Sequence, residues 1–298
     1  MTIIAGFSSS RQGSAPLNLA AQLARTTGDK VIAAAVVERT LPAGVDPIED
    51  EYRTYLASQA AASLDRVVGQ LSGDLDLSVA IHQSTSIPNG LMELAHQHGA
   101  DVVVVGSSSS GLLGRVTLGS VTDRLVHTSQ VPVAIAPRGY PSSPAPIERL
   151  TAAYGGEADA VRLIATSAAL AKQWNARLRI ASFTVRPFTM FGGSIERSAE
   201  ELVVQQWTRR TMDAAAKQLD DARATVPDPG VDVVIGTGTD WQEAVDDIAW
   251  ESGDMLLLGS GAAGPLAQVF LGTAAAKILR HAPVPVMIVP RQNASAQA

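Results

Sequence analysis

No cysteine occurs among the 298 residues, which excludes disulfides, thiolate metal sites, iron–sulfur clusters and cysteine nucleophiles. Aromatic residues make up only 4%, so a core has to be built from alanine, valine, leucine and isoleucine. Basic charge is scarce as well: 23 Lys and Arg stand against 29 Asp and Glu. Residues 1–139 carry 9 basic and 12 acidic side chains and residues 140–298 carry 14 and 17, so each half is −3. That leaves no basic stripe for nucleic acid and no polybasic patch for a membrane. Long hydrophobic runs are missing; Val102–Gly106 and Met255–Gly259 are strand-length, far short of a membrane span. The opening MTIIAGFSSS has neither a basic n-region nor a long apolar h-region, so no signal peptide is read and a cytoplasmic protein is expected.

What the sequence does have is an internal repeat. Residues 106–137, GSSSSGLLGRVTLGSVTDRLVHTSQVPVAIAP, align without a gap on residues 259–290, GSGAAGPLAQVFLGTAAAKILRHAPVPVMIVP, and 12 of 32 positions are identical. The offset is 153 there and 147 near the starts, where Gly6-Phe7 faces Ala153-Tyr154, so the second copy has gained six residues in its middle. The stretch GYPSSPAP, residues 139–146, reads as a linker or tight crossover. The expected organisation is a first domain over 1–138, a linker over 139–146, a second domain over 147–291 and a frayed tail over 292–298.

Each copy follows one plan. Strands are expected at 3–7, 31–37, 75–82, 102–106 and 131–136, and at 150–154, 178–185, 231–236, 255–259 and 284–289. Helices are expected at 15–27, about 50–71, about 89–98 and from Ser120, and at 158–175, about 196–223, about 241–252 and from Thr273. Alternation of apolar strands with helices predicts an α/β fold of two tandem doubly wound domains. Each would be a five-stranded parallel sheet with helices on both faces.

In such sheets ligands bind beyond the carboxyl ends of the strands, where the strand order switches. The glycine loop after the fourth strand lies in that place, bracketed by Gly106 and Gly119 in one copy and Gly259 and Gly272 in the other. Helices starting at Ser120 and Thr273 would offer free N–H groups, a positive dipole end and a hydroxyl to a phosphate. The same residues could equally be plain helix caps. Neither loop holds the lysine of a GxxxxGK[ST] P-loop, and no GxGxxG follows a first strand. Arg115, inside the first loop, could pair with phosphate; its counterpart is Gln268, and a solvated side chain is the preferred reading.

With these loops, each followed by VPV and an apolar strand, the chain resembles the universal stress protein family over nearly its whole length. The family pattern is Gly, two residues, Gly, nine residues, then Gly-Ser or Gly-Thr. The resemblance implies two tandem family domains paired through their last strands, VPVAIAP and VPVMIVP, within one chain. It implies a stress-response protein acting by binding rather than by turnover, with ATP and Mg²⁺ as the candidate cofactor. By position, Gly106, Gly119 and Ser120 would contact phosphates and Val36 would lie against adenine. Ser8 takes the place of the family's acidic residue, and Ser109 that of its second loop glycine. In the second copy the matching residues are Gly259, Gly272, Thr273, Phe183, Gly155 and Ala262. The acidic residue and the second loop glycine are thus absent from both copies. Ser8 and Ser109 at least remain polar, which makes the first copy the better nucleotide site and the second a degenerate one. Phe183 could stack on a base or fill the site.

Other features carry blander readings. His82, His96, His98, His127 and His281 suit surface or capping roles. Asp246-Asp247 and Glu200-Glu201 are neighbours pointing apart on helices, read as solvated faces. The run Ser107–Ser110 lacks a GxSxG elbow. Segments 39–51 and 186–198 are where the copies diverge; in the second, PFTMFGGSIE carries Phe188, Met190 and Phe191 and could cover the site, contact a partner or pack as a local lid. Besides an adenine nucleotide, the expected partners are proteins not identified by the sequence and a second copy of the chain. A nucleotide-free interaction scaffold and, less favoured, a nucleotide hydrolase are the alternatives; no acid/base or metal constellation for turnover is found.

Overall fold

The computed structural model describes residues 2–8, 13–39, 45–71, 73, 75–155, 158–185, 230–262 and 269–290, together with single helical positions between 206 and 224. The first half runs β1 (Thr2–Gly6), α1 (Ser14–Thr27), β2 (Lys30–Glu38), α2 (Pro47–Leu71), β3 (Leu77–Ser84), α3 (Ile87–Gln97), β4 (Val102–Gly106), α4 (Ser120–Thr128) and β5 (Val133–Ala136). The second runs β6 (Arg149–Ala153), α5 (Ala158–Trp174), β7 (Arg177–Val185), β8 (Asp232–Gly238), α6 (Trp241–Asp246) and β9 (Asp254–Gly259). A two-residue hairpin follows, β10 (Gly261–Ala262) with β11 (Val269–Phe270), then α7 (Thr273–His281) and β12 (Val286–Val289). The expected helix at about 196–223, segment 186–198 and tail 292–298 lie wholly or largely outside the described residues.

Apart from the antiparallel β10–β11 hairpin, the strand pairs within each half are parallel, in the orders β3-β2-β1-β4-β5 and β8-β7-β6-β9-β12. The halves meet where β5 and β12 pair antiparallel, Ile135 opposite Val286 and Val133 opposite Ile288, which makes one ten-stranded sheet. Inner strands are buried on both faces, so they read as unbroken apolar runs such as Val102–Val105. Successive residues point to opposite faces: Ile3 joins the core beneath α1, α2 and α5, and Ile4 the core beneath α3, α4, α6 and α7. Both cores run through the seam between the halves.

Residues 139–146 run along α1. Asn18 Nδ2 donates to the Tyr140 carbonyl (2.8 Å), Arg25 to the Ser143 carbonyl (2.9 Å) and the Tyr140 hydroxyl to Gln22 Oε1 (2.5 Å). Burial pushes the Tyr140 phenol up to about 12. One expected element is shorter than its sequence pattern: α6 stops at Asp246, not at Ser252. The chain turns there as Trp250 donates its indole N–H to the Val245 carbonyl (2.7 Å) and Asp247 turns back to the Thr237 amide (2.9 Å).

Candidate functional site

The strand order reverses between β1 and β4, so the loops leaving their carboxyl ends flank a crevice; β6 and β9 repeat this in the second half. Helix capping separates the helices around these crevices from their neighbours. Ser86 caps α3 by accepting from the Asn89 amide, and Asp240 caps α6 by accepting from the Glu243 amide. By contrast α1, α4 and α7 start on Gly13, Gly119 and Gly272, with no side-chain cap. Their N-cap glycines thus bring no side chain to the first-turn N–H groups.

The first glycine loop leaves β4 at Gly106 and is closed at its base by Ser107. The Ser107 hydroxyl accepts from the Thr117 amide (2.6 Å) and reaches the Thr117 and Arg115 carbonyls (3.0 and 3.3 Å). Thr122, in the first turn of α4, donates to the Gly106 carbonyl (2.9 Å). A Cβ at Gly106 would lie 3.2 Å from the Pro16 ring, so bareness here serves the packing of α1 on β4. At Gly119 a Cβ would make only ordinary contact with Ser108 at 3.6 Å, and the backbone is extended (φ −90°, ψ 171°). Ser120 and Ser109 are exposed, and so is Ser8 beyond β1. Ser109 does not occupy the left-handed region, where Asn175 is the one non-glycine among the described residues.

The remaining sequence-chosen residues divide. Val36 lies near the carboxyl end of β2, in register with His82, but its side chain turns under α3, where a Cβ on Gly90 would come within 2.6 Å of it. Phe183, in register with Gly236 on β8, is half-buried in the same-face core as α6. Gly259 meets Leu163 at ordinary distance, Gly272 and Gly155 stand in open space, and Thr273 is exposed at the start of α7. Ala262 forms part of the β10 strand. Residues 263–268 of that loop, including Gln268, lie outside the described residues, as do Glu200 and Glu201.

Two preferred sequence readings are corrected. Arg115 is not a solvated cation: its guanidinium pairs with both oxygens of Asp246 (2.8 and 3.0 Å) and donates to the His281 carbonyl. Asp246 and Asp247 are likewise not a plain solvated face; they point apart, one to Arg115, the other to the Thr237 amide and hydroxyl (2.9 and 3.1 Å). His82 is also engaged, 2.6 Å from Glu93 on α3, and this hydrogen bond holds the Glu93 carboxyl below the usual carboxylate range.

Sequence reasoning missed a buried charge cluster at the opposite, amino ends of the strands. Asp254, opening β9, binds Arg149 through Nε and Nη2 (2.8 and 2.6 Å), with Arg179 Nη2 at 3.5 Å. All three are at most 6% exposed. Arg179 also donates to Thr151 Oγ1 (3.0 Å) and the Ala249 carbonyl (2.7 Å) and lies over the Trp250 ring at 4.8 Å. Burial first, and Arg149 second, lower its pKa, while the bond to Asp254 raises that of Arg149. The signal available was Arg179 set between Leu178 and Ile180, a charge inside an apolar stretch of β7.

A doubly wound α/β protein of two repeated halves, each with an uncapped glycine loop at its switch point, defines the class. The chain belongs to the universal stress protein family, whose model matches residues 1–137 and again residues 146–290; that places it among stress-response proteins. Universal stress proteins of Mycobacterium tuberculosis (strain H37Rv) and Mycobacterium bovis are each 32% identical to it over 295 residues, 97% of this chain and 100% of theirs. Among solved structures, a universal stress protein from Archaeoglobus fulgidus superposes with a TM-score of 0.63 at 17% identity, covering 98% of both chains. A protein from Pseudomonas aeruginosa described as a putative universal stress protein gives 0.55 at 13% identity, covering 97% of this chain and 92% of its own. These two show the shared fold. Among the described residues no helix is long and apolar enough to cross a membrane.

Proposed function

We propose that this stress-response protein binds an adenine nucleotide, ATP with Mg²⁺, in the crevice of its first half, and acts through the bound state rather than through turnover. The observation that carries it is the open amino end of α4: Gly119 leaves the first-turn amides uncapped, and the exposed Ser120 hydroxyl stands beside them. Oxyanions are the groups such an end accepts. Gly106 and Gly119 would frame the phosphates, Ser109 would face them from the loop, and Ser8 would stand where an acidic residue would otherwise meet the sugar. Adenine would lie along the backbone at Val36. With Arg115 turned to Asp246, the loop offers neutral donors, so Mg²⁺ would supply the positive charge that the phosphates need. The second half, with Gly259, Gly272 and Thr273 but Gly155 and Phe183 opposite, fits a degenerate site. Action in the cytoplasm, protein partners and a homodimer of the tandem chain belong to the same proposal.

A nucleotide-free scaffold is the second reading, favoured by the Pro16 ring against Gly106 and by the diversion of Arg115. Calorimetric titration of ATP, with and without Mg²⁺, separates the two. Gly119→Ala changes little in the free fold, since its Cβ meets nothing closer than 3.6 Å. If a phosphate approaches that backbone, the variant should weaken ATP binding about tenfold or more, while Gly272→Ala leaves it unchanged. Absence of saturable binding to the unmodified chain would leave the scaffold reading in place.

A further inference from the structure

We propose that Arg115 is a positioning residue, through which the second half holds the first half's glycine loop in its phosphate-accepting shape. This rests on the nucleotide reading of that loop. The loop's tip has little burial to fix it: Leu112 and Leu113 are 74% and 76% exposed. Polar ties hold it instead. Ser107 closes the base, the Arg138 carbonyl accepts from the Gly114 amide (2.9 Å), and the Arg138 side chain donates to the Gly111 carbonyl. Arg115 alone among these reaches into the other half.

Both of its acceptors are helix carboxyl ends. Asp246 is the last residue of α6, and the His281 carbonyl ends α7. A carboxylate at the negative end of a helix is unfavourable by itself, and a cation there is favourable. One guanidinium answers both needs, in a two-pronged geometry that fixes its direction. The helix it caps, α7, is the one that starts at the second half's own glycine loop. In the other direction, β11 of the second loop touches α4, the helix that follows the first loop. Each loop therefore leans on the other's helix, but only the first has an arginine to lock the contact, since Gln268 stands opposite Arg115 in the repeat. Docking of the halves and occupancy of the first site become linked, each favouring the other.

The test uses the full chain in four forms: unmodified, Asp246→Asn, Arg115→Ala, and the charge exchange Arg115→Asp with Asp246→Arg. Amide hydrogen exchange over 108–115 is read without nucleotide, and ATP affinity by calorimetry. Each single variant should speed exchange at Gly111, Gly114 and Arg115 about tenfold or more. Each should also weaken ATP about 5- to 20-fold, with the thermal midpoint nearly unchanged. The charge exchange should recover the share of both that the ion pair carries, though not the donor to the His281 carbonyl, and a general loss of stability would recover neither. Unchanged exchange in Asp246→Asn, or a loosened loop with unchanged ATP affinity, overturns the proposal. If the unmodified chain binds no ATP, the nucleotide reading fails and the link to occupancy with it, while the exchange rates still decide whether Arg115 positions the loop.

Discussion

Each half brings an aspartate to the start of its inner strand, and the two are held in opposite ways. Asp101 is exposed, just before β4, and accepts from the Thr2 amide (2.9 Å). Asp254, its partner in the repeat, is 2% exposed and shared by two buried guanidiniums. Where the second half has Arg149, Thr151 and Arg179, the first has Thr2, Ile4 and Ile32, all in matching register. A second contrast lies where a helix crosses the outer strands. In the first half the bare position is on the helix, where a Cβ on Gly90 would come 2.6 Å from Val36. In the second it is on the strand, where a Cβ on Gly236 would come 2.1 Å from the Ala244 carbonyl oxygen. Backbone pairing and apolar alternation therefore suffice to specify this sheet. The chemistry at strand ends, and which partner gives way at a helix crossing, can then change without altering it.

Removing each aspartate in turn should distinguish the two halves most. Asp254→Ala leaves Arg179 buried without its carboxylate and Arg149 with Glu251 alone, and should cost about 3 kcal/mol, whereas Asp101→Ala should cost less than about 1 kcal/mol. Urea unfolding followed by far-ultraviolet circular dichroism suits this, because it reports on both halves, whereas all four tryptophans, Trp174, Trp207, Trp241 and Trp250, lie in the second. Next in size is the glycine pair. Gly236→Ala pushes on a backbone carbonyl and should cost about 3 kcal/mol, the upper end for overpacking. Gly90→Ala pushes on a valine side chain that can shift, and should cost about 1–2 kcal/mol; thermal melts of the two rank them.

The smallest effect sharpens the contrast at the outer strands, where His82 in the first half matches Gly236 in the second. The folded Glu93 pKa is lowered, so the contribution of its pair with His82 is complete above the ordinary carboxylate pKa. It is lost as pH falls through the lowered one. The carboxylate is half-exposed, which limits the loss to a few tenths of a kcal/mol. Stability measured between pH 6 and 3 should fall by that much less in Glu93→Gln than in the unmodified chain.

Apolar periodicity and self-similarity made the fold legible. The runs Ile3–Phe7 and Val102–Gly106 read as strands, and the family resemblance, not periodicity, implied the pairing of VPVAIAP with VPVMIVP that joins β5 to β12. The glycine loops and the start of α4 at Ser120 were equally readable, since punctuation by glycine is local. Contacts between distant residues were not. Arg115 and Asp246 are 131 positions apart, and nothing in either neighbourhood distinguishes a bridging arginine from a solvated one. The Arg149–Arg179–Asp254 cluster likewise assembles only when three strands align. The early end of α6 depends on where Asp246 and Asp247 send their side chains, which no periodicity records.

The antiparallel join of β5 to β12 has a consequence for divergence. Two separate chains meeting at such an edge would come apart on dilution, and both would carry the same loop. Covalent tethering replaces that dependence with a fixed effective concentration, on the order of millimolar for a short connection. It also ends the obligation of sameness. One loop can acquire an arginine and the other a glutamine, one aspartate can be buried and the other left in water, and the pair still forms once per molecule. A molecule with one specialised face and one supporting face is something that a symmetric assembly of identical chains cannot encode.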